Sequence, residues 1–238
     1  MTPIAKRILI KRLILIVILA AVAGFVFFTE YMKNRTIYSD VEPAQKVVRQ
    51  IKVVALGDSL TAGYGLPENM SFAAQLEQAL RLDGYDVVVK NAGISGDTSA
   101  GGLSRLNAAI EDNPDIAIVE LGVNDALRGH PPATTEKNLD NILSILEDRG
   151  ISILFAGMKA PKGLGNAYTD QFEDLYERQA KKHNVIFYPF FMQGVLDVPN
   201  AAELLLADGA HPNEEGVKVI VNNIMPYIKK LLEPFTAK

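Results

Sequence analysis

The chain has 238 residues, with 24 Lys and Arg against 28 Asp and Glu, a formal net charge of −4 and no cysteine. The absence of cysteine excludes disulfides, thiolate metal sites and a cysteine nucleophile. No run of basic residues with interleaved aromatics occurs in the body of the chain, so no nucleic-acid partner is expected. Residues 51–238 suffice for one domain with a real core and leave little room for two.

Taken in chain order, the first feature is Lys6, Arg7, Lys11 and Arg12 ahead of an unbroken apolar run at residues 13–28. Cations followed by an apolar stretch make a signal anchor or a signal peptide. With residues 8–10 counted, and Lys11 and Arg12 snorkelling to the interface, the stretch is long enough to span a bilayer. Ala21-Val22-Ala23 before Gly24 offers a small-x-small cleavage site as the alternative, but Phe25-Val26-Phe27-Phe28 continues the apolar run beyond it. The expectation is an uncleaved membrane helix in residues 1–35 and a polar linker over 36–50, broken by Pro43. A domain over 51–238 then lies on the extracytoplasmic, periplasmic side, because positive charge stays in the cytoplasm.

From Ile51 onward, short Val- and Ile-rich runs alternate with stretches of helical period, the pattern of a parallel sheet covered by helices on both faces. Strands are predicted at 51–56, 85–90, 115–121, 151–156 and 185–188. Phe72, Leu76, Ala79 and Leu80 form one helical stripe, with Ser71 as N-cap and Gly84 just past its end. A second stripe is Leu139, Ile142, Leu143 and Leu146, stopping at Gly150. A third is Phe172, Leu175, Tyr176 and Gln179/Ala180. The last, Val217 to Leu231, starts after Asn213 with Glu214 and Glu215 where the helix dipole favours anions.

Right-handed crossovers bring the C-terminal ends of all the strands to one edge, where open α/β sheets bind their ligands. Gly57-Asp58-Ser59-Leu60 follows the first predicted strand, Asn91-Ala92-Gly93 the second and Gly122-Val123-Asn124-Asp125 the third. Asp208-Gly209-Ala210-His211-Pro212 comes after the fifth. A serine hydroxyl becomes a useful nucleophile when a histidine takes its proton and a carboxylate fixes the histidine tautomer. Ser59, His211 and Asp208 have the residue types and order for that chemistry. Acyl transfer also needs donors for an oxyanion, and the Ser59 N–H, the Gly93 N–H and the Asn124 amide are the candidates. Of the other histidines, His130 precedes Pro131-Pro132 in a loop and His183 closes a helix; both read as surface residues.

These motifs are similar to those of the SGNH, or GDSL, hydrolases. The segment from Val54 to Gly65 resembles the first block of that family, particularly of its acyl thioesterase, lysophospholipase and arylesterase branch. Residues 91–99 resemble the second block, Leu121-Gly122-Val123-Asn124-Asp125 the third, and Asp208 to Asn213 the fifth. The resemblance implies Ser59, Gly93, Asn124 and His211 in the four named roles, with Asp208 completing the triad. Val123 stands where this branch often carries glycine, which would narrow the pocket while leaving Asn124 available. An α/β-hydrolase would need Gly-x-Ser-x-Gly, and Thr61 occupies the last of those positions.

The expectation is therefore a three-layer α/β/α domain with a five-stranded parallel sheet of flavodoxin-like order. It would hydrolyse carboxylic esters through an acyl-enzyme, with no metal or organic cofactor. Leu66, Met158, Leu164, Phe191 and Met192 are candidates for an acyl groove favouring aryl esters, thioesters or lysophospholipids. An envelope carbohydrate deacetylase of the same fold and a non-catalytic, membrane-tethered binding protein are the alternatives.

Overall fold

The computed structural model describes residues 17–32 and 50–235. The chain divides into two compact units, Met1–Val48 and Arg49–Lys238. In the first, residues 17–32 form a helix, α1, with every residue exposed. Among the described residues no helix is long and apolar enough to cross a membrane. The four cations, the start of the apolar run and the expected linker up to residue 49 lie outside the described residues.

The second unit runs β1 (Ile51–Gly57), α2 (Ser59–Ala62), α3 (Phe72–Leu82), β2 (Val87–Gly93), α4 (Ser99–Ala109), β3 (Ile116–Glu120) and α5 (Val123–Leu127). It continues with α6 (Pro132–Asp148), β4 (Ser152–Ala156), α7 (Asn166–Lys182), β5 (Ile186–Tyr188) and α8 (Glu214–Leu232). The five strands are parallel in the order β2-β1-β3-β4-β5, the flavodoxin-like order expected. Helices α3 and α8 touch on one face, while α4, α6 and α7 pack in succession on the other. Both faces being covered, the central strand β3 shows no alternation: all of its residues are buried, Glu120 included.

Helices α3 and α8 begin where side chains satisfy free backbone donors. Ser71 accepts from the Ala74 N–H at the start of α3, and Asn213 from the Gly216 N–H at the start of α8. The apolar stripes bury Phe72, Leu76 and Leu80 on α3, Leu139, Ile142, Leu143 and Leu146 on α6, and Val217, Ile220, Val221, Ile224 and Ile228 on α8.

Three local expectations change. Strand β2 does not stop at Lys90 but runs to Gly93, because Asn91, Ala92 and Gly93 stay in parallel register with Ala55, Leu56 and Gly57. Helix α4 is an element not expected from the sequence: Leu103, Leu106 and Ile110 share one face, but Gly101 and Gly102 are poor helix formers. It forms because Thr98 caps it through the Gly101 N–H and Gly102 lets it lie against Leu121. Finally, His183 is not a surface residue: its side chain is 5% exposed. Its Nδ1 and Nε2 each lie 2.7 Å from a carboxylate oxygen, of Glu147 and Asp140 respectively, tying the end of α7 to α6.

Candidate active site

The sheet edge begins with the turn between β1 and α2. Asp58 caps α2 by accepting the Leu60 N–H at 3.0 Å, which makes Ser59 the first helical residue. The Ser59 Oγ lies 2.8 Å from His211 Nε2. His211 Nδ1 lies 2.7 Å from Asp208 Oδ2.

Asp208 and His211 share one loop in front of α8. An antiparallel bridge from Leu205 to Pro212 closes it, and the Asn213 amide donates to the Glu203 carbonyl at 2.8 Å. The other oxygen of Asp208 accepts the N–H groups of Ala210 and His211 at 2.9 and 3.1 Å. The Ala210 N–H, then the His211 N–H and imidazole, hold the Asp208 carboxyl down at about 2, so it is ionised wherever a neutral imidazole could act. The Tyr64 ring lies against His211 with centroids 4.4 Å apart, and the Tyr64 N–H donates to the Ser59 carbonyl at 3.0 Å.

Two buried carboxyl groups lie next to this turn. Glu120, at the end of β3, accepts the Thr61 hydroxyl at 2.7 Å and the Asp58 N–H at 3.3 Å through Oε2, while its Oε1 has no hydrogen-bond partner among the described residues. Burial, reinforced by the Asp58 charge, pushes Glu120 well above the usual carboxylate range. Burial also raises Asp58, to about 6, against the pull of the Leu60 N–H and the Asn124 amide.

The oxyanion candidates separate. Nothing among the described residues accepts the Ser59 N–H. Asn124, on α5, directs its side-chain amide onto Asp58 Oδ2 at 2.9 Å; that bond uses one of two amide hydrogens and fixes the plane of the other. The Gly93 N–H is taken by Asn91 Oδ1 at 3.0 Å, and a Cβ at Gly93 would lie 2.3 Å from the Ala62 nitrogen. Glycine at this position lets β2 approach α2. Gly96, absent from the sequence-based candidates, has an N–H with no acceptor among the described residues. It sits in a turn closed by the Asp97 N–H on the Ile94 carbonyl at 3.0 Å, with φ +80°, the left-handed geometry that favours glycine.

The groove candidates separate as well. Met158, Phe191 and Met192 are buried core residues, Phe191 packing edge-on against Phe72. Leu164 is exposed, and Leu66 lines a cavity of about 390 Å³ with Gly65, Leu206 and Asn213. Periodicity could not single out Tyr64, Ile94 and Leu127, which are 51%, 51% and 64% exposed; each follows the end of β1, β2 or β3. His130 is half-exposed, its Nδ1 3.7 Å from Asp125. Among the described residues no group of three or more His, Asp or Glu could hold a metal ion.

A doubly wound sheet with a serine, a histidine and an aspartate in hydrogen-bonded series at its carboxyl edge defines a class, the serine hydrolases of α/β architecture. The comparisons narrow it. Residues 55–219 match the GDSL-like lipase/acylhydrolase family. An arylesterase of Vibrio mimicus is 39% identical over 165 residues, covering 69% of this chain and 81% of that one. The thioesterase 1/protease 1/lysophospholipase L1 of Escherichia coli K12 is 35% identical over 183 residues, covering 76% and 83%. The crystal structure of AlinE4, an SGNH-hydrolase family esterase, is 42% identical with a TM-score of 0.64, covering 77% of this chain and 97% of that one. The chain belongs to the GDSL-like lipase/acylhydrolase family and is a serine hydrolase of ester bonds.

Proposed function

We propose that Ser59 is the nucleophile, His211 the general base and then acid, and Asp208 the group that fixes the His211 tautomer. The observation that carries this reading is the continuous series Ser59 Oγ, His211 Nε2, His211 Nδ1, Asp208 Oδ2, with contacts of 2.8 and 2.7 Å. Ser59 Oγ attacks the ester carbonyl while its proton passes to His211 Nε2. The tetrahedral oxyanion is received by the N–H groups of Ser59 and Gly96 and the free hydrogen of the Asn124 amide. His211 returns the proton to the leaving oxygen, the C–O bond breaks, and an acyl-enzyme remains. Water, deprotonated by His211, then releases the acid and restores Ser59.

For the substrate, the exposed apolar side chains of Tyr64, Ile94, Leu127 and Leu164, in the segments that follow four successive strands, favour acyl or aryl esters, thioesters or lysophospholipids over an acetylated sugar. The arylesterase and lysophospholipase names of the relatives agree. Labelling by a fluorophosphonate in the wild type and none in Ser59→Ala tests the nucleophile. An unlabelled wild type would favour a binding protein that keeps the fold. Turnover across p-nitrophenyl esters of rising chain length, beside an acetylated xylose, tests the substrate; activity on the sugar alone would overturn it.

The N-terminal segment supports a membrane anchor with the enzyme facing outward: four cations precede an apolar run, and residues 17–28 of that run are helical. Fractionation and the mass of the mature chain test this, and a mature N-terminus at Gly24 would replace the anchor with a cleaved signal.

A further inference from the structure

The edge that carries the oxyanion donors is assembled from segments distant in sequence, and one side chain joins them. Arg105 reaches from α4 to the ends of β1 and β2. Its Nη2 donates to the Gly57 carbonyl at 2.9 Å, its Nη1 to the Ala92 carbonyl at 2.7 Å and its Nε to Asp97 Oδ2 at 2.7 Å. Gly57 lies two residues before Ser59, and Asp97 directly follows Gly96. The Gly57 carbonyl also accepts the Ile94 N–H at 3.1 Å, so the turn presenting Gly96 is fastened to the end of β1 at both of its own ends. The Arg105 and Asp97 side chains are only 19% and 14% exposed, which limits competition from water.

A covered ion pair is a weak device for stability, since well-packed apolar residues commonly do as well. It is a strong device for geometry. A guanidinium is planar, with donors at fixed angles, and can hold two carbonyls and a carboxylate at set separations; a lysine ammonium cannot reproduce that fork. We infer that Arg105 is a positioning residue: it sets the distance between the Ser59 turn and the Gly96 turn, and so the span of the oxyanion site. This rests on the reading of Ser59 and Gly96 as the backbone donors. Asp97 holds the guanidinium in its plane, and Arg105 touches no reacting atom.

Displacing a catalytic group by about 1 Å can cost on the order of 100-fold in rate. Arg105→Lys, which keeps the charge beside Asp97, should therefore lower kcat by roughly 10- to 100-fold with KM within about twofold and little change in melting temperature. The second readout is the amide proton of Gly96, followed by NMR before and after a fluorophosphonate places its oxygen where the oxyanion would form. In the wild type this proton should move downfield. In folded Arg105→Lys the movement should shrink, and the rate of Ser59 labelling should fall with kcat. A folded Arg105→Lys with wild-type kcat and a full Gly96 response overturns the positioning role and leaves the oxyanion reading intact. No Gly96 response in the wild type overturns both. Should Arg105→Lys fail to fold, Asp97→Asn decides: it should lower kcat several-fold and weaken the Gly96 response, and wild-type values for both would overturn the inference.

Discussion

The Asp58 N–H donates to Glu120 Oε2 at 3.3 Å, which sets two acidic residues against each other next to the nucleophile. Asp58 rises from 3.8 to about 6 and Glu120 rises with it, burial being the main cause for both. A raised carboxyl binds its proton more tightly in the folded chain, so its ionisation opposes folding. Its effect on stability is absent below the unfolded value near 4 and grows as pH rises through the folded value near 6. For Asp58 alone the loss is at most about 3 kcal/mol. Glu120→Gln removes one acid and the like-charge repulsion on the other. The difference in melting temperature between variant and wild type should widen in favour of the variant from pH 4 to pH 7. A constant difference across that range would dismiss the pairing.

Asp208→Asn keeps the size of the side chain and removes the charge that selects the His211 tautomer. By analogy with the same change in other triads, kcat should fall on the order of 10⁴-fold, with some loss of melting temperature at pH 7, because the fold holds the Asp208 carboxylate ionised through the Ala210 and His211 N–H groups. Steady-state turnover and thermal melts on one sample would check this. A fall of less than tenfold would remove Asp208 from the triad.

Asn91→Ala distinguishes the two glycines. It frees the Gly93 N–H and takes away an Asx turn, which should cost roughly 0.5–1.5 kcal/mol of stability. If Gly96 supplies the donor, kcat stays within about twofold of wild type. A clear rise in kcat would show that Asn91 had been masking the working donor, and would return Gly93 to the site.

The Tyr64 ring lies against the His211 imidazole, with centroids 4.4 Å apart and planes tilted by 36°. Tyr64→Ala should lower kcat by roughly 2- to 10-fold, the equivalent of about 0.5–1.5 kcal/mol for an aromatic pair, while Tyr64→Phe keeps wild-type kcat. Equal losses in both variants would point to the hydroxyl instead.

Removal of Met1–Val48 should leave turnover on a small soluble ester unchanged, because every group assigned to the chemistry lies in the second unit. Circular dichroism and kcat on the shortened chain check it, and failure to fold would tie the N-terminal unit to the domain.

What could be read from the sequence was whatever rests on periodicity or on short-range spacing. The buried stripes of α3, α6 and α8, the strand runs and the Asp208–His211 pair are of that kind. What could not be read depends on contacts between distant segments. Nothing local says that Asn91 turns its amide oxygen onto Gly93, or that α4 forms in spite of two glycines because Leu121 waits beneath it. Gly96 stands inside the segment that resembles the second block, but nothing local says that Asn91 occupies the Gly93 N–H, the observation that favours Gly96 in the proposed oxyanion site. His183 reads as a surface residue because its carboxylate partners, Glu147 and Asp140, belong to another helix.

The loop from Leu205 to Pro212 carries both Asp208 and His211, three positions apart, whereas Ser59 lies 152 positions from His211. The two links of the series therefore have different contact orders. The aspartate–histidine link costs little loop-closure entropy and can form as soon as its own short turn closes. The serine–histidine link exists only once the whole wound sheet is assembled and the start of α8 has docked beside the end of β1. During refolding, reactivity of Ser59 toward a phosphonate should lag behind local order in the 205–212 loop, making acylation a reporter of complete assembly.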